Sequence, residues 1–312
     1  MANTQPIATI LNQQKIVLLD GALATELETH GCVLNDALWS ARVLLENPEL
    51  IYQVHYDYFK AGADVATTAS YQATVAGFIN RGMTEKEAID LIKQTVILAK
   101  QARDDFWQVN ESQRPKPFVA ASIGPYGAFL ADGSEYVGNY GVSDEQLVDF
   151  HRQRMQVLVE AGADMFAFET IPSFQEARVL SELVKEFPTM TAWLSFSIKN
   201  ATEISDGTSL TKCAMAFEAN EQISAIGVNC APTTSVTQAI QVLHGVTQKP
   251  IIVYPNSGET YHPETKTWDG CETGESFDQL SVEWVRAGAK IIGGCCRTTP
   301  QDILALANKW RN

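Results

Sequence analysis

The chain has 312 residues, of which 45% are hydrophobic and 19% charged, so it can bury a large core and is not a disordered protein. Its formal net charge is −14, whereas a nucleic-acid-binding protein needs a basic surface, so no nucleic-acid partner is expected. No run approaches the roughly 20 apolar residues of a membrane span, and the first residues, MANTQPIATILNQQK, show no secretory signal. These features predict a cytoplasmic protein with reduced thiols and no membrane partner.

Eight apolar, β-rich segments recur along the chain between longer amphipathic segments. They are IVLLDGA (16–22), DVATTASY (64–71), FVAASIGP (118–125), MFAFET (165–170), TAWLSFSI (191–198), AIGVNC (225–230), PIIVYPN (250–256) and KIIGGCC (290–296). Near-continuous apolar runs are typical of parallel strands that are buried on both faces. The sequence therefore predicts eight parallel strands.

Helical periodicity fills much of the space between these strands. The clearest predicted helices are 47–62, 84–107, 143–162 and 276–288. Capping patterns open three of them and a fourth near the end of the chain: Asn47 before Pro48, Thr84 with Glu87, Ser143 with Gln146, and Thr299 before Pro300. The repeats AGAD (61–64 and 161–164) and AGAK (287–290) place a glycine where a helix should end and a strand begin.

Eight β/α units in a chain of this length predict an α/β fold, a single-domain (β/α)8 TIM barrel that spans residues 1–312. An open doubly wound sheet is the alternative. No G-x-G-x-x-G follows the first strand, which disfavours its dinucleotide-binding form. The polar segment 256–275 is expected to form a long loop over the barrel mouth.

Three of the six cysteines fall at predicted strand ends. Cys230 ends the sixth strand, and Cys295 and Cys296 end the eighth, so the three thiols can converge above the barrel. Three thiolates suit zinc and leave a fourth tetrahedral position open, as in catalytic sites. Gly293 and Gly294 are predicted to provide the unusual backbone path that lets neighbouring cysteines face one ion.

Other interpretations of the cysteines compete with a metal site. Small buried apolar residues are one, because cysteine is often buried. A disulfide between neighbours is another, although it leaves Cys230 unexplained and is disfavoured in a reducing compartment. The remaining cysteines, in predicted helices or loops, show no convergence: Cys32, Cys213 and Cys271.

Acidic and aromatic residues also lie at or near strand ends. Asp20 closes the first strand and Glu169 the fourth. Each carboxylate could bind an amino group or act as a base, or it could cap a helix or accept a buried hydrogen bond. Tyr71, at the end of the second strand, and Trp39, in the loop after the first, could each hold a cation against a ring face or simply pack in the core.

The histidines give no matching pattern. His55 and His151 lie on predicted helices and are expected to be solvent-exposed. No H-E-x-x-H is present, which disfavours a histidine-ligated zinc hydrolase.

The ordered segments LLDGALATELE, LWSARVLLENPELI, TASYQAT, SIGPYGAFLADGSEY, FET, GVNC, YPNSGE and GGCCRTTP resemble the homocysteine S-methyltransferase family over about residues 16–308. Within it, the resemblance is closest to the bacterial enzymes that use S-methylmethionine. The paired GVNC and GGCC motifs are its most specific part. The resemblance implies a (β/α)8 barrel with one zinc ion on Cys230, Cys295 and Cys296 and with homocysteine sulfur as the fourth ligand.

The resemblance also implies substrate contacts and a reaction. Asp20 and Glu169 are expected to hold the homocysteine amino group. Independently of the resemblance, the affinity of aromatic faces for cations leads us to expect that Trp39 or Tyr71 faces a sulfonium methyl donor. S-methyl-L-methionine is the expected donor, with S-adenosyl-L-methionine as a second, and L-methionine is the product. No catalytic side chain is expected beyond the zinc site, because zinc deprotonates a bound thiol and the donor leaves as a neutral thioether.

Two rival functions remain at this point. A non-catalytic barrel could use the three cysteines to sense zinc or redox state, and a zinc hydrolase could activate water, although hydrolytic sites favour histidine and carboxylate ligands. The size of the chain and the lack of a long extra segment predict a monomer and disfavour a betaine donor.

Overall fold

The computed structural model describes residues 5–32, 34, 39–110, 114–262, 267–269 and 274–311; the side chains at 39–41, 260–262 and 267–269 lie outside this description. Within these residues a parallel sheet is formed by β1 Val17–Leu18, β2 Val65–Thr67, β3 Phe118–Ile123, β4 Met165–Ile171, β5 Ala192–Phe196, β6 Ile223–Asn229, β7 Ile251–Tyr254 and β8 Ala289–Ile292. The predicted strands are therefore confirmed, although several end earlier than the sequence indicates.

The strand order is β1-β8-β7-β6-β5-β4-β3-β2, and every neighbouring pair is parallel. A parallel bridge between Leu19 and Val65 joins the two outer strands. The amide of Asp20 also donates to the carbonyl of Val65 at 3.0 Å. The sheet closes on itself, which confirms the predicted TIM barrel.

Helices surround the sheet. Their bounds are α1 Pro6–Leu11, α2 Leu23–Thr29, α3 Trp39–Glu46, α4 Pro48–Ala61, α5 Val75–Ile79, α6 Glu85–Asn110, α7 Tyr126–Leu130, α8 Asp144–Glu160, α9 Phe174–Leu183, α10 Leu210–Phe217, α11 Thr233–His244, α12 Phe277–Ala287 and α13 Pro300–Trp310. None of the described helices is both long and apolar enough to cross a membrane.

Alternation along the strands divides the core into two layers. Val17 and Leu19 belong to the cluster inside the barrel, whereas Leu18 packs outward against the helices. This follows from the two-residue period of a strand. Ile7 and Ile10 of α1 join the inner cluster, so this helix covers the end of the barrel where the strands begin.

The predicted helix starts and the glycine-terminated helix ends are confirmed, whereas the helix predicted over 84–107 continues to Asn110. Capping boxes form at Ser143 and Thr299, and Thr84 exchanges equivalent hydrogen bonds with Glu87. The glycines of AGAD and AGAK have φ values of 122° at Gly62, 87° at Gly162 and 126° at Gly288. Only glycine adopts this left-handed region without strain, so these joints specify where each helix stops.

One expectation about the fold was wrong, and another was incomplete. His55 and His151 are buried, with relative exposures of 1% and 0%. His55 faces the core from α4, and burial lowers its pKa to about 4, so its imidazole is neutral.

The segment 256–275 is not simply a loop, because it contains a short antiparallel hairpin, Thr260–His262 with Thr267–Asp269. The rest of that segment from 263 to 273, including Cys271, lies outside the described residues.

Candidate metal centre and substrate pocket

A cavity of about 370 Å³ opens at the carboxyl ends of the strands. Its lining includes six of the residues that the sequence singled out: Asp20, Tyr71, Glu169, Cys230, Cys295 and Cys296. The structure thus brings together residues from the first, second, fourth, sixth and eighth β/α units. The remaining candidate, Trp39, begins α3, and its side chain lies outside the described part of the chain.

The three cysteine sulfurs form a compact triangle. All three Sγ atoms lie within 4.8 Å of one another, and the Sγ atoms of Cys230 and Cys296 are 3.7 Å apart. Tetrahedral zinc with Zn–S bonds of about 2.3 Å requires ligand sulfurs about 3.8 Å apart. The triangle therefore fits a single thiophilic ion. Each cysteine is partly exposed, which leaves the ion one side open to the cavity.

The last residue of β7 and the three residues that follow it, 254–257, fix the backbone of the three cysteines. The amide of Cys230 donates to the carbonyl of Tyr254 at 3.1 Å, and the amide of Cys295 donates to Pro255 at 2.8 Å. The amide of Ser257 donates to the carbonyl of Cys296 at 3.0 Å. One stretch of chain therefore sets the spacing between Cys230 and the Cys295–Cys296 pair, although they lie 65 residues or more apart in the sequence.

Gly293 and Gly294 do not provide the unusual backbone path that the sequence predicted for them. Neither has a φ in the left-handed region; the turns occur at Cys230 (φ 49°) and Arg297 (φ 67°). A Cβ on Gly293 would lie 2.5 Å from the Cβ of Leu19, and one on Gly294 would lie 2.2 Å from Oγ1 of Thr298. Glycine is required here for close packing.

Charge is shared unequally among the three thiols. Hydrogen bonds donated by Cys295 and Cys296 hold the pKa of Cys230 well below its usual value. Their contact with Cys230 raises the pKa values of Cys295 and Cys296 well above the usual value. One thiolate thus suppresses the ionisation of its two neighbours, and a divalent cation at the centre would remove that repulsion.

Tyr136 is a site residue that the sequence did not single out. Its hydroxyl lies 3.4 Å from Sγ of Cys230, and its ring lines the cavity. It belongs to a short 3-10 turn, Ser134–Tyr136, in the connection between α7 and α8. Half of its surface is exposed. The segment SIGPYGAFLADGSEY contributed to the family resemblance, but nothing in its pattern separated this tyrosine from others.

Asp20 and Glu169 are buried carboxyl groups that face the cavity. Oδ2 of Asp20 accepts a 2.8 Å hydrogen bond from the amide of Thr67. Glu169 accepts hydrogen bonds from Ser122 and, at 3.1 Å, from Tyr254. Burial raises the pKa of Glu169 to about 7 and that of Asp20 well above its usual value, where the charge of Glu169 adds to the effect. Both carboxyl groups therefore favour a cationic partner.

Further hydrogen bonds orient Glu169. Trp193 Nε1 donates to the Tyr254 hydroxyl at 3.0 Å, which directs that hydroxyl's proton to Glu169. The next residue, Thr170, has a φ of 59° and is held on both sides by Asn229. Oδ1 of Asn229 accepts from the Thr170 amide at 2.8 Å, and Nδ2 donates to its hydroxyl at 2.7 Å.

Tyr71 is half-buried and lines the same cavity. Burial raises its pKa well above the usual value, so its hydroxyl is neutral. Arg154 donates to the Tyr71 carbonyl at 3.2 Å and to that of Gly124 at 2.7 Å, which fixes the backbone behind the ring.

The fold and the site define a class of protein: a TIM barrel whose mouth carries a three-cysteine cluster that could hold a metal ion, beside an acidic pocket. The family profile described as homocysteine S-methyltransferase matches residues 17–310, and the chain belongs to this family. It is an enzyme that transfers a methyl group to homocysteine.

Similar proteins support this assignment. The chain is 55% identical to homocysteine S-methyltransferase YbgG of Bacillus subtilis, covering 97% of this chain and 96% of that protein. It is 50% identical to the homocysteine S-methyltransferase of Escherichia coli, covering 98% and 99%. The crystal structure of the homocysteine methyltransferase MmuM from E. coli, in its metallated form, aligns with a TM-score of 0.90 at 46% identity, covering 98% of this chain and all of that one.

Proposed function

We propose that the protein catalyses zinc-dependent methyl transfer from S-methyl-L-methionine to L-homocysteine, with L-methionine as the product. The observation that carries this proposal is the triangle of three cysteine sulfurs, all within 4.8 Å of one another, which is open to a cavity with two buried carboxyl groups.

One zinc ion fits the donor set best. Cys230, Cys295 and Cys296 would hold it, because an all-sulfur site selects soft or borderline metals over magnesium and calcium. The related MmuM has been crystallised in a metallated form. When bound, zinc supplies deprotonation of the homocysteine thiol, whose pKa near 8.5 would otherwise leave little thiolate at neutral pH.

Asp20 and Glu169 are suited to bind the homocysteine ammonium group. Both are buried and held by neutral donors, so an ammonium ion would compensate a charge that burial disfavours. Tyr71 and Trp39 are assigned to the sulfonium side, where aromatic faces stabilise a cation. These side chains bind and align the reactants.

The transfer balances without an acid–base side chain. A sulfur lone pair of the homocysteine thiolate forms the new C–S bond as the bond from the methyl group to the sulfonium sulfur breaks. That electron pair stays on the donor sulfur, which leaves as a neutral thioether.

An isotope experiment tests the proposal. Zinc-loaded, reduced enzyme is incubated with backbone ¹³C-labelled homocysteine and unlabelled S-methyl-L-methionine, and the methionine products are separated by mass. The proposal predicts labelled and unlabelled methionine in equal amounts, and loss of both after chelation. A parallel reaction with S-adenosyl-L-methionine measures the second donor. Labelled methionine only from S-adenosyl-L-methionine, or undiminished turnover after chelation, would contradict the donor or the metal assignment.

A further inference from the structure

Arg297 occupies a distinctive position at the cavity. It directly follows the cysteine pair, and among the described lining residues it is the one lysine or arginine. Its φ of 67° lies in the left-handed region, which residues other than glycine, asparagine and aspartate seldom adopt. Its amide donates to Oγ1 of Thr25 at 3.2 Å, which helps to hold this conformation.

Among the residues that the structure describes, the guanidinium is anchored through its Nε, and its Nη1–Nη2 edge has no hydrogen bond. Its Nε donates to Oε2 of Glu259 at 2.7 Å. Its Nη1 lies 3.8 Å from Oε2 of Glu28, which is beyond hydrogen-bond length. The end-on Nη1–Nη2 edge therefore has no hydrogen bond to Glu28. This edge has the fork geometry that binds a planar carboxylate through two parallel hydrogen bonds.

Glu28 also lines the cavity, and its side chain is 52% exposed, in contrast to the buried Asp20 and Glu169. The cavity thus has a deep acidic pair and, at its rim, an arginine beside a separate carboxylate. A cation next to an anion matches the carboxylate and ammonium of an α-amino acid. The deep pair is assigned above to the homocysteine ammonium, and a reaction between two amino acids requires a second such position.

We propose that Arg297 and Glu28 form the subsite for the amino-acid end of the methyl donor, with Arg297 binding its carboxylate and Glu28 its ammonium group. This inference rests on the proposed function. It makes the enzyme selective for a sulfonium that carries an α-amino-acid group, whereas Glu259 only positions the arginine.

Truncated donors test the assignment. (3-Aminopropyl)dimethylsulfonium lacks the carboxylate of S-methyl-L-methionine, and 4-(dimethylsulfonio)butanoate lacks its amino group. Arg297→Gln should lower kcat/KM for S-methyl-L-methionine about 10- to 100-fold, the range for a lost hydrogen bond to a charged group. It should change the value for the carboxylate-free donor by less than about threefold. Glu28→Gln should likewise lower kcat/KM for S-methyl-L-methionine but change the value for the amine-free donor by less than about threefold. Where a truncated donor reacts too slowly, its inhibition constant serves as the readout.

Three controls separate this role from others. Zinc content and thermal unfolding of Arg297→Gln show whether the neighbouring metal site and the fold persist. Glu259→Gln removes the charge that holds Nε of Arg297. In this variant kcat/KM should still be higher for the donor with a carboxylate than for the donor without one. The KM for homocysteine in Arg297→Gln should stay within about threefold of wild type.

Opposite results would overturn the inference. Equal losses with the intact and the carboxylate-free donor would give Arg297 a purely structural role, and a selective rise in the homocysteine KM would assign it to the acceptor. The wild-type reactions keep this distinct from failure of the proposed function. A wild type inactive with every sulfonium would refute both, whereas an active wild type with unselective losses would refute only the donor subsite.

Discussion

Glu169 and Glu176 are seven residues apart, and both are buried, yet their surroundings differ completely. Glu176 accepts a 2.8 Å hydrogen bond from Nε2 of His151, whose Nδ1 accepts from the guanidinium of Arg154 at 2.9 Å. The hydroxyl of Tyr140 donates to the second carboxylate oxygen of Glu176, Oε2, at 3.1 Å. Glu169 faces the cavity, and its hydrogen-bond donors in the described part of the chain are two neutral hydroxyls, those of Ser122 and Tyr254.

The difference separates a structural charge from a binding charge. Glu176 and Arg154 form a charge pair bridged by a neutral histidine, whose pKa burial lowers. Both carboxylate oxygens of Glu176 thus accept hydrogen bonds from donors within the protein. The charge of Glu169 is balanced only when a cation enters the cavity. A buried carboxylate whose charge awaits a partner in this way is suited to bind a ligand.

Glu176→Gln should have the largest effect of the substitutions that compare the two carboxylates. It leaves the buried Arg154 without its counter-charge, and breaking such a pair costs about 3–5 kcal/mol. Denaturant unfolding should show a loss of that size. An unfolding free energy within about 1 kcal/mol of wild type would mean that the network is not the structural element described.

The pH dependence of stability distinguishes Glu169. Because burial raises its folded pKa to about 7, the folded state holds this proton more tightly than the unfolded state does. Stability is therefore lost as the pH rises from the unfolded pKa of about 4.3 towards 7. For reduced, metal-free protein, the stability of wild type relative to Glu169→Gln should fall by about 2–3 kcal/mol from pH 5 to pH 8. A constant or rising difference would contradict the assigned pKa direction.

Substrate affinity gives the third comparison. Glu169→Gln removes one of two charges assigned to the homocysteine ammonium, so the KM for homocysteine should rise about 10- to 100-fold. The KM for the methyl donor should change little. Glu176→Gln, assayed where it is still folded, should leave the homocysteine KM near the wild-type value. Equal KM values in wild type and Glu169→Gln would remove Glu169 from the substrate site.

Much of this arrangement could be predicted from the sequence. Apolar runs and AGAD-type joints specify strands and helix ends, and the barrel then brings the strand-end residues Asp20, Glu169 and Cys230 to one mouth. Those features are local in sequence, and parallel closure converts them into proximity.

What could not be predicted depends on packing between distant segments. The contact between Tyr136 and Cys230 joins residues 94 positions apart, and no periodicity reports it. The burial of His151 is decided by its partners Glu176 and Arg154, not by its place on a helix. Gly293 and Gly294 were recognised as special, but the reason is the nearness of Leu19 and Thr298.

Zinc content tests the central claim most directly. Reduced wild-type protein should bind one zinc ion per chain, measured by elemental analysis after removal of free metal. Cys296→Ser should lose most of that zinc and at least about 10³-fold in turnover, because one of the three thiolates is absent. Cys32→Ser, a cysteine outside the cavity lining, is the matched control and should retain both. Full zinc occupancy in Cys296→Ser, or none in the wild type, would contradict the three-cysteine zinc centre.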